Sequence, residues 1–99
     1  MVTKIEETDS NWLVTLEGEM DTVAAMEASE VLSPLYSGGK DVIIECEKLE
    51  YIASSGLRIF LGILKGATAT NHTVTLRNVN EDIKNVLSLT GFIKIFNFE

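Results

Sequence analysis

At 99 residues, with 15 acidic against 8 basic side chains and a formal net charge of −7, the chain has the length of one small domain and the wrong charge for nucleic acid or anionic lipid. Hydrophobic residues make up 45% and proline occurs once, which suits a packed core and argues against disorder. No apolar run approaches the ~20 residues of a membrane-spanning helix; the best, Leu57 to Leu64, is short and contains Arg58.

The opening segment, Met1 to Glu7, has neither the apolar stretch nor the cleavage site of a signal peptide, so a cytoplasmic location is expected. Lys4 to Glu7 and Trp12 to Glu17 are short alternating segments around Asp9, Ser10 and Asn11, a turn-forming cluster, and predict a β-hairpin. Trp12, Val14 and Leu16 share one face of the second strand. The run Gly18 to Asp21 breaks that strand, and Asp21 is a candidate N-cap for a helix through Ala24, Ala28, Val31 and Leu35. Pro34 disfavours helix at Ser33, which predicts an early end or a kinked last turn. Gly38 and Gly39 close the connection.

Asp41 to Cys46 reads as a strand, and the continuous apolar run of Val42, Ile43 and Ile44 is what a strand covered on both faces shows. Cys46, alone in the sequence, cannot form an internal disulfide and reads as a small buried side chain rather than a reactive thiol. A helix follows from near Ser55 to about Thr70, with Leu57, Phe60, Leu61 and Leu64 at helical spacing. Asn71 and His72 form a turn, and Val74 and Leu76 mark another strand. Asn80 caps a third helix carrying Ile83, Val86 and Leu87, with Gly91 as its stop, and Phe92 to Phe98 supplies a last short strand. There is no internal repeat, low-complexity segment or linker.

The order β-β-α-β-α-β-α-β predicts an α/β fold over residues 1–99, a single domain. Its four- to five-stranded mixed sheet has a parallel centre, right-handed crossovers and helices packed on it. Asp21 and Ser55 each follow a parallel strand and each open a helix. Both are therefore expected at the carboxyl edge of the sheet, where binding sites of open α/β sheets concentrate.

That edge carries the chemistry. Ser54, Ser55 and Gly56 follow Ala53 where a strand hands over to a helix, and a helix start offers unpaired N–H groups to an anion or a phosphorylated hydroxyl. The alternative is that the serines simply cap the helix. Arg58, three residues after Ser55, is either a solvated side chain or a partner for a phosphate there. A serine hydrolase is excluded by distance. His72, the single histidine, lies roughly 15 residues beyond Ser55, on the order of 20 Å along a helix. One Cys and one His supply no metal-ligand set, and Glu45, Glu47 and Glu50 read as a solvated acidic rim. Phosphate-loop and dinucleotide glycine patterns are missing, so no cofactor is expected and the chain reads as no enzyme. Gly62 and Gly66 share a helix face at a cost of ~1 kcal/mol each relative to alanine, which predicts close approach of another backbone, the domain's own in preference to a partner's.

The ordered set of Gly18 to Asp21, Val42 to Ile44, Ile52 to Leu57, and Leu89 to Phe92 followed by Phe96 resembles the STAS family, and within it the stand-alone bacterial anti-sigma factor antagonists. The resemblance implies that Ser55, directly before Gly56, is the residue phosphorylated by a serine kinase that is also the anti-sigma factor, with Ser54 its hydroxyl neighbour. It implies that the unmodified form binds the kinase and frees the sigma factor, that the phosphorylated form does not bind, and that a PP2C-type phosphatase resets the switch. Asp21 matches the family's aspartate needed for phosphorylation and binding. The expected partner-binding set is thus Asp21, Ser54, Ser55, Gly56 and Arg58, without nucleic acid or membrane insertion. The family commonly has aspartate where this chain has Ala53, so one carboxylate beside the acceptor is missing. The runner-up is a constitutive STAS interaction subunit of a transporter or stress-signalling complex.

Overall fold

Strand β1 (Val2–Glu7) turns through Asp9 and Ser10 into the antiparallel β2 (Asn11–Met20) in the computed structural model, which describes residues 1–99. Thr8 closes the turn at both ends. Its N–H donates to the Asn11 carbonyl at 2.9 Å, and its hydroxyl oxygen accepts from the Asn11 N–H at 3.0 Å. Gly18 does not break β2, which runs on to Met20. The glycine takes φ +97° between two register shifts against the next strand, so its conformational freedom serves a bulge.

Helix α1 (Thr22–Val31) begins as predicted, with the Asp21 carboxylate accepting from the Ala24 N–H at 2.8 Å. It ends before Pro34, which opens a 3-10 turn over Ser33–Ser37 that carries the buried Leu35. Its core stripe is rotated from the predicted one. Ala25, Ala28 and Leu32 are buried, Ala24 is half-buried, and Val31 is exposed. Strand β3 (Asp41–Ile52) continues six residues past Cys46, burying Leu49 and Ile52 while Glu47, Lys48, Glu50 and Tyr51 face solvent. Helix α2 (Ser54–Ala69), β4 (Val74–Arg77), α3 (Glu81–Thr90), a 3-10 turn (Phe92–Lys94) and a two-residue β5 (Asn97–Phe98) complete the chain. Asn80 accepts from the Ile83 N–H at 2.9 Å, and Gly91 ends α3 in the left-handed conformation at φ +79°.

The strands lie in sequence order, with β2, β3, β4 and β5 mutually parallel. Right-handed crossovers that always step the same way place every helix on one face of the sheet. The buried pairs Val14–Ile44, Ile44–Leu76 and Val42–Val74 occupy that face, in one cluster with Ala25, Phe60, Ile63, Ile83 and Leu87. The reverse face is open, so β3 is covered on one side only. Ile43 sits there half-buried between Leu13 and Thr75, which corrects the two-sided reading of its apolar run.

Phe60, fully buried, meets Phe96 edge to face, with 6.2 Å between ring centroids. Burial pushes the Cys46 thiol up to about 12. Gly66 and Gly62 face the 3-10 turn after α1. A Cβ on Gly66 would overlap the Tyr36 carbonyl oxygen, and one on Gly62 would fall 3.0 Å from the Tyr36 ring. The compensating backbone is the domain's own.

Candidate functional site

The ends of β2 and β3 coincide. Met20 pairs with Ile52, and the Ala53 N–H donates to the Met20 carbonyl at 2.8 Å. Asp21 and Ala53 therefore leave the sheet together and open α1 and α2 side by side, as the shared-edge reading expects. Because the strand order never reverses, there is no switch-point crevice at this edge. No cavity is lined by Ser54 or Ser55. The site is an open rim without a pocket, suited to a macromolecular surface rather than an enclosed small molecule.

Ala53 is the N-cap of α2, and its methyl side chain accepts nothing. Its carbonyl takes the Gly56 N–H at 2.9 Å and the Leu57 N–H at 3.1 Å, while the amides of Ser54 and Ser55 have no acceptor. The serines occupy the first two helical positions, so the alternative in which they cap the helix fails. Ser54 is exposed. Ser55 Oγ is turned inward, and it is the one buried side-chain polar atom in the chain with no hydrogen-bond partner. An orphan of this kind costs ~1–3 kcal/mol.

Gly56 is buried and offers the surface no side chain. A Cβ there would lie 2.6 Å from Met20 Sδ and 2.7 Å from Ile52 Cγ1, so the glycine lets the helix start close on the strand ends. Arg58 is exposed, forms no ion pair, and stands one turn beyond both serines on their side of the helix.

The structure adds Tyr51, half exposed on the strand end opposite Glu19, to the same edge. Two apolar side chains of α1, Val23 and Met26, are likewise exposed. The sequence signal for Tyr51 was available: it alternates with the buried Ile52 just before the serines. His72 lies at the opposite, amino edge. Its Nδ1 is 3.1 Å from Asp41 Oδ1, which also accepts from the Thr73 N–H at 3.0 Å. The Thr73 amide, then His72, lower the Asp41 pKa below its ordinary value. His72 is thus a half-buried anchor for the start of β3, remote from Ser55 in the fold as in the sequence. Glu45 is tied to Asn78 Nδ2 at 3.1 Å, while Glu47 and Glu50 are solvated.

The family model described as the STAS domain matches residues 3–99. The chain belongs to the STAS domain family. This STAS domain is 31% identical over 84 residues to the "Anti-sigma-B factor antagonist" of Staphylococcus aureus strain NCTC 8325 / PS 47, a match covering 84% of this chain and 78% of that protein. In three dimensions it resembles a Thermotoga maritima protein assigned as an anti-sigma factor antagonist, with TM-score 0.85 and 21% identity over 97% of this chain and 84% of that one. It also resembles the anti-sigma factor antagonist SpoIIAA. The unphosphorylated form gives TM-score 0.77 at 21% identity, over 99% of this chain and 87% of that one. The phosphorylated Bacillus form gives 0.76 at 22%, over 99% and 91%. This STAS domain therefore shares its fold about equally with both states of that protein.

Proposed function

We propose that this STAS domain is an anti-sigma factor antagonist, a cytoplasmic binding module with no catalytic role of its own. Unphosphorylated, it docks a serine kinase that serves as anti-sigma factor and so frees the sigma factor. Phosphorylation of Ser55 switches it off, and a PP2C-type phosphatase restores it. The observation that carries this reading is Ser55 itself: a hydroxyl with no hydrogen bond to hold it, at a helix start whose first two amides are free. Rotation about χ1 brings Oγ outward between staggered wells without breaking any bond of the native structure. The γ-phosphoryl of ATP then passes to Oγ, the hydroxyl proton leaves, and ADP departs.

The product adds about −1.5 to −2 charges at the positive end of α2. The amides of Ser54 and Ser55, the second of them without the carboxylate acceptor that an acidic N-cap at position 53 would offer, are donors for it, and Arg58 is the cation one turn away. In the free protein those groups and water accommodate the charge. In a complex the same charge would be desolvated against the partner, at a cost of several kcal/mol. Binding is lost while the fold stays intact.

Incubation with the cognate kinase and ATP should add one phosphoryl group to the intact mass, and Ser55→Ala should abolish it while Ser54→Ala does not. Undiminished phosphorylation of Ser55→Ala would refute the assignment. Unfolding midpoints of the phosphoprotein with and without Arg58→Ala test the arginine; equal midpoints remove it from the scheme. The inward Oγ and the missing aspartate at Ala53 favour one second reading, a constitutive STAS subunit of a transporter or stress-signalling complex. Co-purification with transporter or stress-complex components, without phosphorylation by a kinase, would select it.

A further inference from the structure

The negative charge of the chain is confined to one part of it. Residues 5–39, from β1 through the turn after α1, contain 8 acidic side chains and no lysine or arginine; the remainder holds 7 acidic and 8 basic ones, a net of +1. Within that acidic segment, α1 is inverted. A helix on a sheet normally turns its larger apolar residues to the core. Here alanines 25 and 28 face inward, while Val23 and Met26 point outward at 66% and 69% exposure. Glu27 and Glu30 complete the same outward stripe at helical spacing, and the four side chains line a shallow cavity of about 260 Å³.

The stripe begins two residues past Asp21, whose strand end is bonded to Ala53, so it adjoins the serine-bearing rim. We propose that the outward face of α1 is a docking surface for a protein partner presenting an apolar pocket rimmed by lysine or arginine. This inference rests on the antagonist reading and names, for the same partner, the surface that supplies affinity. Charge decides against other occupants. A second copy would set two segments of charge −8 against each other, and anionic lipid would be repelled in the same way. Val23 and Met26 would fill the pocket while Glu27 and Glu30 steer the approach. Ser55, at the neighbouring rim, would act as the veto.

The test is a titration of the full chain with the cognate anti-sigma kinase between about 0.05 and 0.5 M salt. The Val23→Ser/Met26→Ser and Glu27→Lys/Glu30→Lys variants are carried alongside, with their fold checked by circular dichroism. All four positions are exposed or at the helix surface, so the variants should fold. The first pair should weaken binding about tenfold or more at every salt concentration, as the loss of apolar anchors does. The second should slow association and flatten its salt dependence. Binding within about twofold of the native chain for both pairs, against the usual scale of anchor losses, overturns the docking surface and leaves the antagonist reading standing. Failure of the native chain to bind the kinase overturns both. Sedimentation showing self-association that the first pair abolishes would assign the stripe to a second copy and overturn the proposal.

Discussion

Replacing Ser55 by alanine should stabilise the unphosphorylated protein. The inward Oγ has no partner, so its removal recovers a desolvation penalty of ~1–3 kcal/mol, while the Cβ that packs is retained. Alanine adds a few tenths of a kcal/mol more in helix propensity. A net gain of about 1–3 kcal/mol corresponds, for a domain of this size, to a rise in Tm on the order of 5–25 °C. If the serine were a cap, the same substitution would cost ~0.5–2 kcal/mol, so the sign alone decides. The measurement is urea unfolding followed by circular dichroism, with no kinase or ATP present. Ser54→Ala, at an exposed first-turn position, is the control and should stay within about 0.5 kcal/mol of the native chain. A loss of stability in Ser55→Ala beyond that margin would show that the hydroxyl is satisfied in solution. The account of an unheld acceptor would then fail.

Three further outcomes are expected. Gly66→Ala should destabilise by about 1–3 kcal/mol despite the better helix propensity, because its Cβ would meet the Tyr36 backbone, which cannot rotate away; a raised urea midpoint contradicts this. The folded-state pKa of Asp41 is lowered, so its contribution is present above the ordinary value of 3.8 and is lost as pH falls through the folded value. Asp41→Asn should therefore be less stable near neutrality, with the gap closing below that pH; a gap that persists in acid refutes the charge argument. Cys46, fully buried and with its thiol pushed up to about 12, should resist an aromatic disulfide reagent near neutral pH until the chain is unfolded. Labelling of native protein at the rate of the unfolded chain would contradict that.

Local signals with a direct mechanism were legible in the sequence: the caps Asp21 and Asn80, the stop at Gly91, the early end of α1 before Pro34, and the close approach at Gly62 and Gly66. Signals whose meaning depends on the assembled sheet were not. Gly18 reads as a break when only the chain is considered, yet its pairing with β3 turns the same freedom into a bulge. The polar run after Cys46 hides the rest of β3, because one side of that strand faces water and can carry charge. Val31 fits a helical stripe in α1, but the core selects Ala25, Ala28 and Leu32, two of them small enough for the helix to lie close to the sheet. At the site, the serines and Asp21 were visible as residue types at helix starts. That Ala53 takes the cap and Ser55 turns inward follows from the geometry of the β3–α2 junction, which no spacing encodes.

The uninterrupted strand order has a bearing on how the chain is made. Each strand after β1 pairs with the one synthesised just before it, so none of these four has to await a later segment for its first neighbour. Assembly can follow the order of synthesis, from the hairpin through β3 and α2. The strands and helices that carry the Asp21–Ser55 rim are complete in sequence by residue 69, before β4, α3 and β5, which finish the sheet and the core beneath it. Changes in the last third of the chain therefore reach the recognition edge only through the shared core, by way of contacts such as Phe96 on Phe60, and not by altering any residue a partner would touch there.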